Sequence, residues 1–258
     1  MTRAHRTAVL LLLLALPAFA QPVWKATAAM PAPEANQAAA ADERFVYAIG
    51  SATVVKYDRK TGERAAVSTG KAKHLNSGMV HEGKLYCAHS NFPAKPESSQ
   101  VYVMDPATMK LEVLKDFGNY DGGSLTWVLR DPAGGGWWCN FAKYDAENAG
   151  TFLVKFDEQW KELARYTYPP ELFKKLGAKW SLSGGVWRDG DLLTTGHDAL
   201  ELYRLRLPKQ GTVIEWVETQ KAPFTGQGIA HDPVTGGLVG IRRNKKEIVF
   251  AGVERDAK

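Results

Sequence analysis

Three histidines, His74, His89 and His197, fall in short polar segments beside runs of β-forming residues. An imidazole titrates near neutral pH, so it can act as a general base, donate a hydrogen bond or ligate a metal. His89 and His197 stand at nearly equivalent places in two similar stretches of sequence, and Asp198 follows His197. We predict that His89 and His197 transfer protons in a catalytic site. The alternative is that each imidazole only hydrogen-bonds to the backbone of its own loop.

Further polar residues fall in the same kinds of segment and are predicted to bind a ligand. These residues are His74, Asn76, Asn91, Asp121, Asn140, Lys179, Asp198, Gln227 and Arg242. The amide side chains can orient a polar molecule, and Lys179 and Arg242 would favour a carboxylate or another anionic group. The sequence therefore predicts a site for a small polar or anionic molecule.

Metal-binding patterns are weak in this sequence. It has no HExxH motif, no closely spaced histidine pair and no cysteines at ligand spacing. No cofactor is predicted. A divalent metal remains an alternative because Asp121 and Asp198 could complete a ligand set.

A repeat of short strands must position these residues. Residues 183–208 read as three strands, with an Asp-Gly turn at Asp189 and Gly190 that is typical of a β-hairpin. Similar runs recur at intervals of roughly 45–60 residues, a spacing found in propeller blades. The repeated order is inner, second, third and outer strand, and an Asp-opened turn follows the third strand as YDRKTGE, MDPATMK and FDEQWKE.

The repeat predicts an all-β fold, a β-propeller of about five four-stranded blades. Six blades, with strands shared differently, and a β-sandwich are the alternatives. The first unit lacks an inner strand and the fifth an outer one, and propellers often close by combining both chain ends in one blade. A short strand over residues 23–27 could supply the missing piece. Loops that enter the inner strands and leave the second strands then open on one face, where the polar residues would converge.

The N-terminus has the pattern of a signal peptide over residues 1–20. Arg3 and Arg6 form a basic start, residues 8–16 are apolar, and Ala18-Phe19-Ala20 fits a cleavage site. Residues 21–43, rich in Ala and Pro, are predicted to be a linker that could contain the closing strand, and residues 44–258 a single propeller domain. We expect a periplasmic or secreted protein.

The rest of the chain excludes two classes of partner. Its formal net charge is +5, but the basic residues are scattered, which does not suit nucleic-acid binding. No second apolar run is long enough to cross a membrane after signal cleavage. We expect a monomer that binds a small molecule.

The two cysteines are predicted to be buried thiols. Cys87 and Cys139 occupy equivalent strand positions in neighbouring units, LYC and WWC. Equivalent positions of adjacent blades should lie beyond the roughly 7 Å Cα separation that a disulfide allows. A disulfide, common in exported proteins, is the alternative.

Two segments, residues 192–207 (LLTTGHDALELYRLRL) and 224–233 (FTGQGIAHDP), resemble small extracytoplasmic propeller enzymes. They are most similar to plant-type glutaminyl cyclotransferases, and they also resemble the lactonase propellers. The resemblance implies a five-bladed fold and a cyclase-type or lactonase-type reaction. That family carries a glutamate where an inner strand begins, whereas the corresponding segments here read NSGM, GSLT, LSGG and GQGI.

These observations lead to two functional hypotheses. The first is an exported propeller that binds a small polar or anionic molecule and acts on it by cyclase, lactonase or isomerase-type acid–base chemistry. The second is a propeller that only binds a ligand or protein partner, without catalysis.

Overall fold

The computed structural model of the protein describes residues 23–254. It contains five antiparallel sheets of four strands each, arranged around one axis as a five-bladed β-propeller. The predicted all-β propeller is therefore confirmed, with five blades and not six. The predicted signal peptide, residues 1–20, lies outside the described residues. Between residues 23 and 254, no helix has the length and apolar character needed to cross a membrane.

Within residues 23–254, the regular structure consists of twenty strands, one α-helix and two 3₁₀-helices. The strands are β1 (Trp24–Pro31), β2 (Ala38–Ala41), β3 (Phe45–Ile49), β4 (Val54–Asp58), β5 (Arg64–Val67), β6 (Leu75–His81), β7 (Lys84–Ser90), β8 (Ser99–Asp105), β9 (Lys110–Gly118), β10 (Ser124–Arg130), β11 (Trp137–Ala142), β12 (Phe152–Phe156), β13 (Glu162–Thr167), β14 (Gly184–Arg188), β15 (Asp191–Thr195), β16 (Glu201–Arg206), β17 (Glu215–Lys221), β18 (Ala230–His231), β19 (Leu238–Arg242) and β20 (Glu247–Val253). The helices are α1 (Pro170–Leu176) and two 3₁₀-helices, Asp145–Gly150 and Arg243–Lys245.

Each blade places one inner strand beside the axis. Blades one to four contain β2–β5, β6–β9, β10–β13 and β14–β17, and blade five contains β18–β20 with β1 as its outer strand. The inner strands β2, β6, β10, β14 and β18 are spatial neighbours. The predicted inner segments therefore line one axis.

Small residues allow the inner strands to approach each other closely. Gly228 precedes β18, and a Cβ there would lie 2.4 Å from Cβ of Ala38 and 2.8 Å from Cα of Ser77. No real Cβ atom approaches another that closely, so the backbones would have to separate. Glycine, alanine and serine are thus required by the crowding near the axis.

The same crowding explains a correction to the predicted linker. Residues 21–43 were expected to be a linker that could contain one closing strand, but two strands, β1 and β2, fall in this segment. The four alanines of β2 are buried and form the inner strand that the first repeat lacked. Because alanine has low β-propensity, such a run is typical of a linker by composition, yet its small side chains fit beside the axis.

The N-terminal strand closes the ring. β1 pairs antiparallel with β20, from Trp24 opposite Val253 to Pro31 opposite Glu247. Trp24 is buried, and its Nε1 donates a hydrogen bond of 2.8 Å to Oε1 of Gln220 in blade four. The outer strand of blade five therefore comes from the opposite end of the chain, which leaves no blade incomplete.

The predicted turns have the expected geometry. Asp189 and Gly190 both have positive φ, 51° and 82°, as the two-residue hairpin between β14 and β15 requires. In the Asp-opened turns, the carboxylate oxygens of Asp58, Asp105 and Asp157 accept hydrogen bonds from backbone N–H groups further along the same turn.

Aromatic side chains fill the space between blades. Trp127 is fully buried, and Gly185 on the neighbouring inner strand gives it room, since a Cβ there would lie 2.9 Å from the indole ring.

Cys87 and Cys139 are both buried and unbridged, in agreement with the predicted thiols. Burial raises the pKa of both thiols, that of Cys87 to about 12, so neither is a reactive thiolate.

Candidate functional site

A pocket of about 220 Å³ lies at the end of the channel where inner strands begin and second strands end. We call it the mouth pocket. Its lining residues are Asn36, Gln37, His74, Asn76, Phe92, Thr126, Tyr144, Trp180, Ser183, His197, Gln227 and Arg243. Four of the predicted site residues, His74, Asn76, His197 and Gln227, therefore meet in one pocket.

His197 lies in the loop after β15 and stacks on an indole. Its ring is parallel to that of Trp180, with centroids 3.8 Å apart. Nδ1 of His197 lies 2.7 Å from a carboxylate oxygen of Asp198, although this contact lacks hydrogen-bond geometry. Burial lowers the pKa of His197, the charges of Arg243 and Lys179 lower it further, and Asp198 opposes them. The imidazole is therefore neutral near pH 7, in a fixed orientation.

Gln227 connects the His197 loop to blade five. Its Nε2 donates to the carbonyl of His197 at 3.0 Å, and its backbone N–H donates to the carbonyl of Gly196 at 2.9 Å. Its own carbonyl accepts from the hydroxyl of Thr195. Gln227 has a φ of 112°, a conformation that residues other than glycine rarely adopt. The surrounding hydrogen bonds hold this strained residue in place, as is common at functional sites.

His74 precedes β6 and forms another wall of the pocket with two aromatic rings. The ring of His74 lies 5.7 Å from that of Phe92, which lies 4.7 Å from that of Tyr144. Burial lowers the pKa of His74, and the charge of Arg243 lowers it further. Burial also raises the pKa of the Tyr144 phenol. Both groups are therefore uncharged near pH 7.

Arg243 supplies the positive charge of the pocket. Its Nε donates to the carbonyl of Asn36 at 2.9 Å, and its backbone N–H donates to the hydroxyl of Thr225 at 2.9 Å. Burial lowers the pKa of this guanidinium, and Asp198 partly offsets the effect. An arginine remains charged nonetheless, so the pocket is cationic.

Two amide side chains support the inner surface of the pocket. Nδ2 of Asn76 donates to the carbonyl of Leu125 at 2.7 Å and to the hydroxyl of Ser90 at 3.3 Å. Asn140 lies one layer behind: its Nδ2 donates to the hydroxyl of Thr126 at 2.8 Å. Asn140 was predicted to bind ligand, and the structure places Thr126 between it and the pocket.

His89 was predicted to be catalytic, but the structure places it away from the mouth pocket. It is buried in β7, where its ring packs 4.9 Å from that of Tyr102 and its Nε2 accepts from the backbone N–H of Lys73 at 3.2 Å. Burial lowers the pKa of His89 to about 4, and His74 and Lys73 add to the effect. β7 extends to Ser90, so His89 lies within the strand, whereas His197 follows the end of β15 at Thr195.

Two further predicted ligand-binding residues, Asn91 and Asp121, serve local structure. The side chain of Asn91 bonds the backbone of Pro96 and Ser98 within its own loop. Asp121 is exposed and pairs with Arg165 of the outer strand β13. Sequence position alone cannot distinguish such loop residues from those that line the pocket, because the path of the loop decides where each side chain lies.

The two remaining predicted residues lie beside the pocket. The ammonium of Lys179 lies 4.6 Å from the ring centroid of Trp180. Arg242 instead donates to the carbonyl of Pro223 at 3.1 Å and contacts Glu247, and the adjacent Arg243 lines the pocket. Since β19 ends at Arg242, residue 243 is the first one free to turn toward the axis.

Eight lining residues were not predicted to bind ligand. They are Asn36, Gln37, Phe92, Thr126, Tyr144, Trp180, Ser183 and Arg243. Trp180 and Arg243 are next to predicted residues, and Ser183 opens a predicted inner strand. The sequence positions of these three could therefore have identified them as site residues. Asn36 and Gln37 belong to the segment that was expected to be a linker.

No metal-ligand cluster accompanies the two imidazoles. Across residues 23–254, no group of three or more His, Cys, Asp or Glu side chains is placed to hold a metal ion. The functional groups of the mouth pocket are thus imidazole, guanidinium, amide and hydroxyl.

A larger pocket, of about 480 Å³, lies at the opposite end of the channel. Its walls are mainly apolar and include Met79, Leu129 and Val186. Among its polar groups, His231 contacts the carbonyl of Trp187 at 2.6 Å. The mouth pocket is smaller, but convergent polar groups make it the better candidate for chemistry.

Comparison with known proteins shows a shared fold without a shared sequence. No family model and no curated protein sequence matches this chain. Among solved structures, it is similar to the glutaminyl cyclase of Myxococcus xanthus, with a TM-score of 0.62 and 11% identity over 90% of this chain and 97% of that one. The resemblance to glutaminyl-cyclising propellers is thereby confirmed at the level of fold.

Two other solved structures are less similar. One is a mitotic checkpoint complex, with a TM-score of 0.48 and 11% identity over 96% of this chain and 99% of that one. The other is the extracellular domain of a one component system from B. thetaiotaomicron, with a TM-score of 0.42 and 10% identity over 78% of this chain and 24% of that one.

Proposed function

We propose that the protein is an exported enzyme that binds a small polar or anionic molecule in the mouth pocket and acts on it by acid–base chemistry. The observation that carries the proposal is the convergence of two neutral imidazoles, His74 and His197, with the guanidinium of Arg243 in one pocket. Such a site combines a proton acceptor with a positive charge that can stabilise a developing negative charge.

His197 is the proposed general base. With Nδ1 near the carboxylate of Asp198, the imidazole favours the tautomer that leaves Nε2 as the proton acceptor. A small rotation of the exposed Asp198 side chain would convert the contact into a hydrogen bond. Stacking on Trp180 then limits the ring to one plane, which keeps its acceptor fixed relative to a bound molecule.

The proposed reaction class is cyclase, lactonase or isomerase chemistry. Because the fold is shared with a glutaminyl cyclase, glutaminyl peptides are the first substrates to test. In that reaction the substrate's α-amine would attack the side-chain carboxamide carbon, His197 would accept a proton from the amine, and ammonia would leave with that proton. Because the lining residues include no carboxylate, the base in this pocket is an imidazole.

The test compares turnover by the mature protein and by variants. Wild type, His197→Ala and a His197→Ala/His74→Ala double variant are assayed on glutaminyl peptides, lactones and cyclic esters. The control is His81→Ala, at the end of β6 and at the opposite end of the channel. We expect turnover that falls at least about 100-fold in His197→Ala, the usual contribution of a general base, with unchanged thermal unfolding.

The same assay distinguishes the alternative, a propeller that binds its ligand without catalysis. Absence of turnover by wild-type protein on the whole panel would contradict the enzymatic proposal and favour pure binding. Equal loss of turnover in the His81→Ala control would contradict the assignment to the mouth pocket.

We also propose that the protein is periplasmic or secreted and acts as a monomer. Export predicts that the mature chain begins at Gln21, after the Ala18-Phe19-Ala20 segment. N-terminal sequencing of the exported protein and its mass in solution check these two points. A mature chain that still begins at Met1 would contradict export by cleavage.

A further inference from the structure

We propose that the ligand of the mouth pocket carries a single carboxylate and that Arg243 is the receptor for this group. The inference rests on the proposed function in that it concerns the same pocket. It goes further by assigning the ligand's chemical class and the residue that selects it.

The first support is the unusual pairing state of Arg243. Across residues 23–254, every arginine except Arg44 and Arg243 lies within ion-pairing distance of a carboxylate. Arg44 is exposed, so water solvates its charge, whereas Arg243 is half-buried. A partly buried charge without a carboxylate at ion-pairing distance is costly, and an anionic ligand would reduce that cost.

The second support is the way Arg243 is anchored. Its Nε donates to the carbonyl of Asn36, and its backbone is fixed by Thr225. In the part of the chain that the structure describes, its two terminal nitrogens have no acceptor. These nitrogens form one edge of the planar guanidinium, and two parallel hydrogen bonds from such an edge match the two oxygens of a carboxylate.

The charge of the pocket selects a monoanion. The lining residues include one guanidinium and no lysine or carboxylate, and the two imidazoles are neutral near pH 7. One carboxylate would neutralise this charge, whereas a phosphate dianion would leave an unbalanced negative charge in a partly buried site. With a volume of about 220 Å³, the pocket fits a molecule the size of an amino acid or oxo acid.

Binding of a carboxylate should also change the pKa values of both imidazoles. The charge of Arg243 lowers the pKa of His74 and of His197, and a bound anion would offset that charge. The other charged groups that act on His197 are Asp198 and Lys179, and these remain unchanged on binding. A carboxylate therefore raises both imidazole pKa values, which gives a spectroscopic readout independent of turnover.

The experiment is an imidazole NMR titration of the mature protein with sodium acetate at constant ionic strength. Proteins are wild type, Arg243→Gln, Arg243→Lys and the control Arg242→Gln, whose side chain contacts Glu247 outside the pocket. We expect saturable shifts of the His74 and His197 resonances in wild type and in the control. In Arg243→Gln the affinity for acetate should fall about tenfold or more, and Arg243→Lys should be intermediate.

A second arm replaces acetate with inorganic phosphate near pH 8, where phosphate is mainly dianionic. Tighter binding of phosphate than of acetate would overturn the carboxylate assignment, and so would acetate binding that is unchanged in Arg243→Gln. If Arg243→Gln does not fold, Arg243→Lys against Arg242→Gln gives the same comparison. If acetate binding depends on Arg243 but no substrate is turned over, the proposed catalysis is refuted. The assignment of Arg243 as the carboxylate receptor is then still supported.

Discussion

Replacement of Trp24 by alanine should test how much the closing strand contributes to stability. Trp24 is 4% exposed and belongs to the same buried cluster as Leu193 and Leu202 of blade four, while the guanidinium of Arg188 lies 5.0 Å from its ring. Truncation of a buried tryptophan costs about 3–5 kcal/mol. It also leaves the buried oxygen of Gln220 without its donor, which costs about 1 kcal/mol or more. We expect the free energy of unfolding to fall by about 4–6 kcal/mol, a large share of the total stability of a domain.

The assay is urea unfolding followed by circular dichroism, with two further variants. Trp24→Phe keeps most of the buried ring but loses the hydrogen bond, so it should lose about 1–2 kcal/mol. Lys25→Ala, on the same strand as Trp24, removes an exposed ion pair with Glu254 and should lose less than about 1 kcal/mol. If Trp24→Ala were destabilised by no more than Lys25→Ala, β1 would not be packed into the ring and the closure described above would be wrong.

Three other properties can be measured directly. The folded-state pKa of His89 is about 4 against an ordinary 6.5, so the folded state binds fewer protons than the unfolded state. The free energy of unfolding should therefore fall by about 2–3 kcal/mol as pH decreases from 6.5 to 4. Urea unfolding at several pH values measures this dependence, which should be absent in His89→Gln. Gly228→Ala should cost about 1–3 kcal/mol through overpacking near the axis, whereas Gly252→Ala, with no atom closer than 3.5 Å, should be nearly neutral in the same assay. Cys87 and Cys139 should react with a thiol reagent only after denaturation, and any reaction of the native protein would contradict their burial.

The fold was largely predictable because blades repeat. Hairpin turns such as Asp189-Gly190 and the Asp-opened turns recur at a regular spacing, and both signals are local in sequence. The strand β2 was missed because an alanine run resembles a linker in composition. Its burial depends on contacts with Gly228 and with blade two, which are distant in sequence.

The site was only partly predictable, for geometric reasons. Loop position was sufficient to bring His74, Asn76, His197 and Gln227 into one pocket. It was not sufficient for His89, because β7 extends to Ser90 and keeps His89 within the strand, whereas β15 ends at Thr195 and leaves His197 in the loop. Sequence spacing identifies the end of a strand to within a residue or two, and side-chain direction reverses with every residue.

The pairing of β1 with β20 also determines the order in which the molecule can be completed during biosynthesis. Among the strands of residues 23–254, β1 is synthesised first and its hydrogen-bonding partner β20 last. Until then, the outer strand of blade five has no sheet to join, and ring closure must follow the formation of long-range contacts. Truncation at either terminus therefore has the same result, an open ring with an unpaired sheet edge. Such a fragment should associate with other chains through that edge, even when the other four blades are intact.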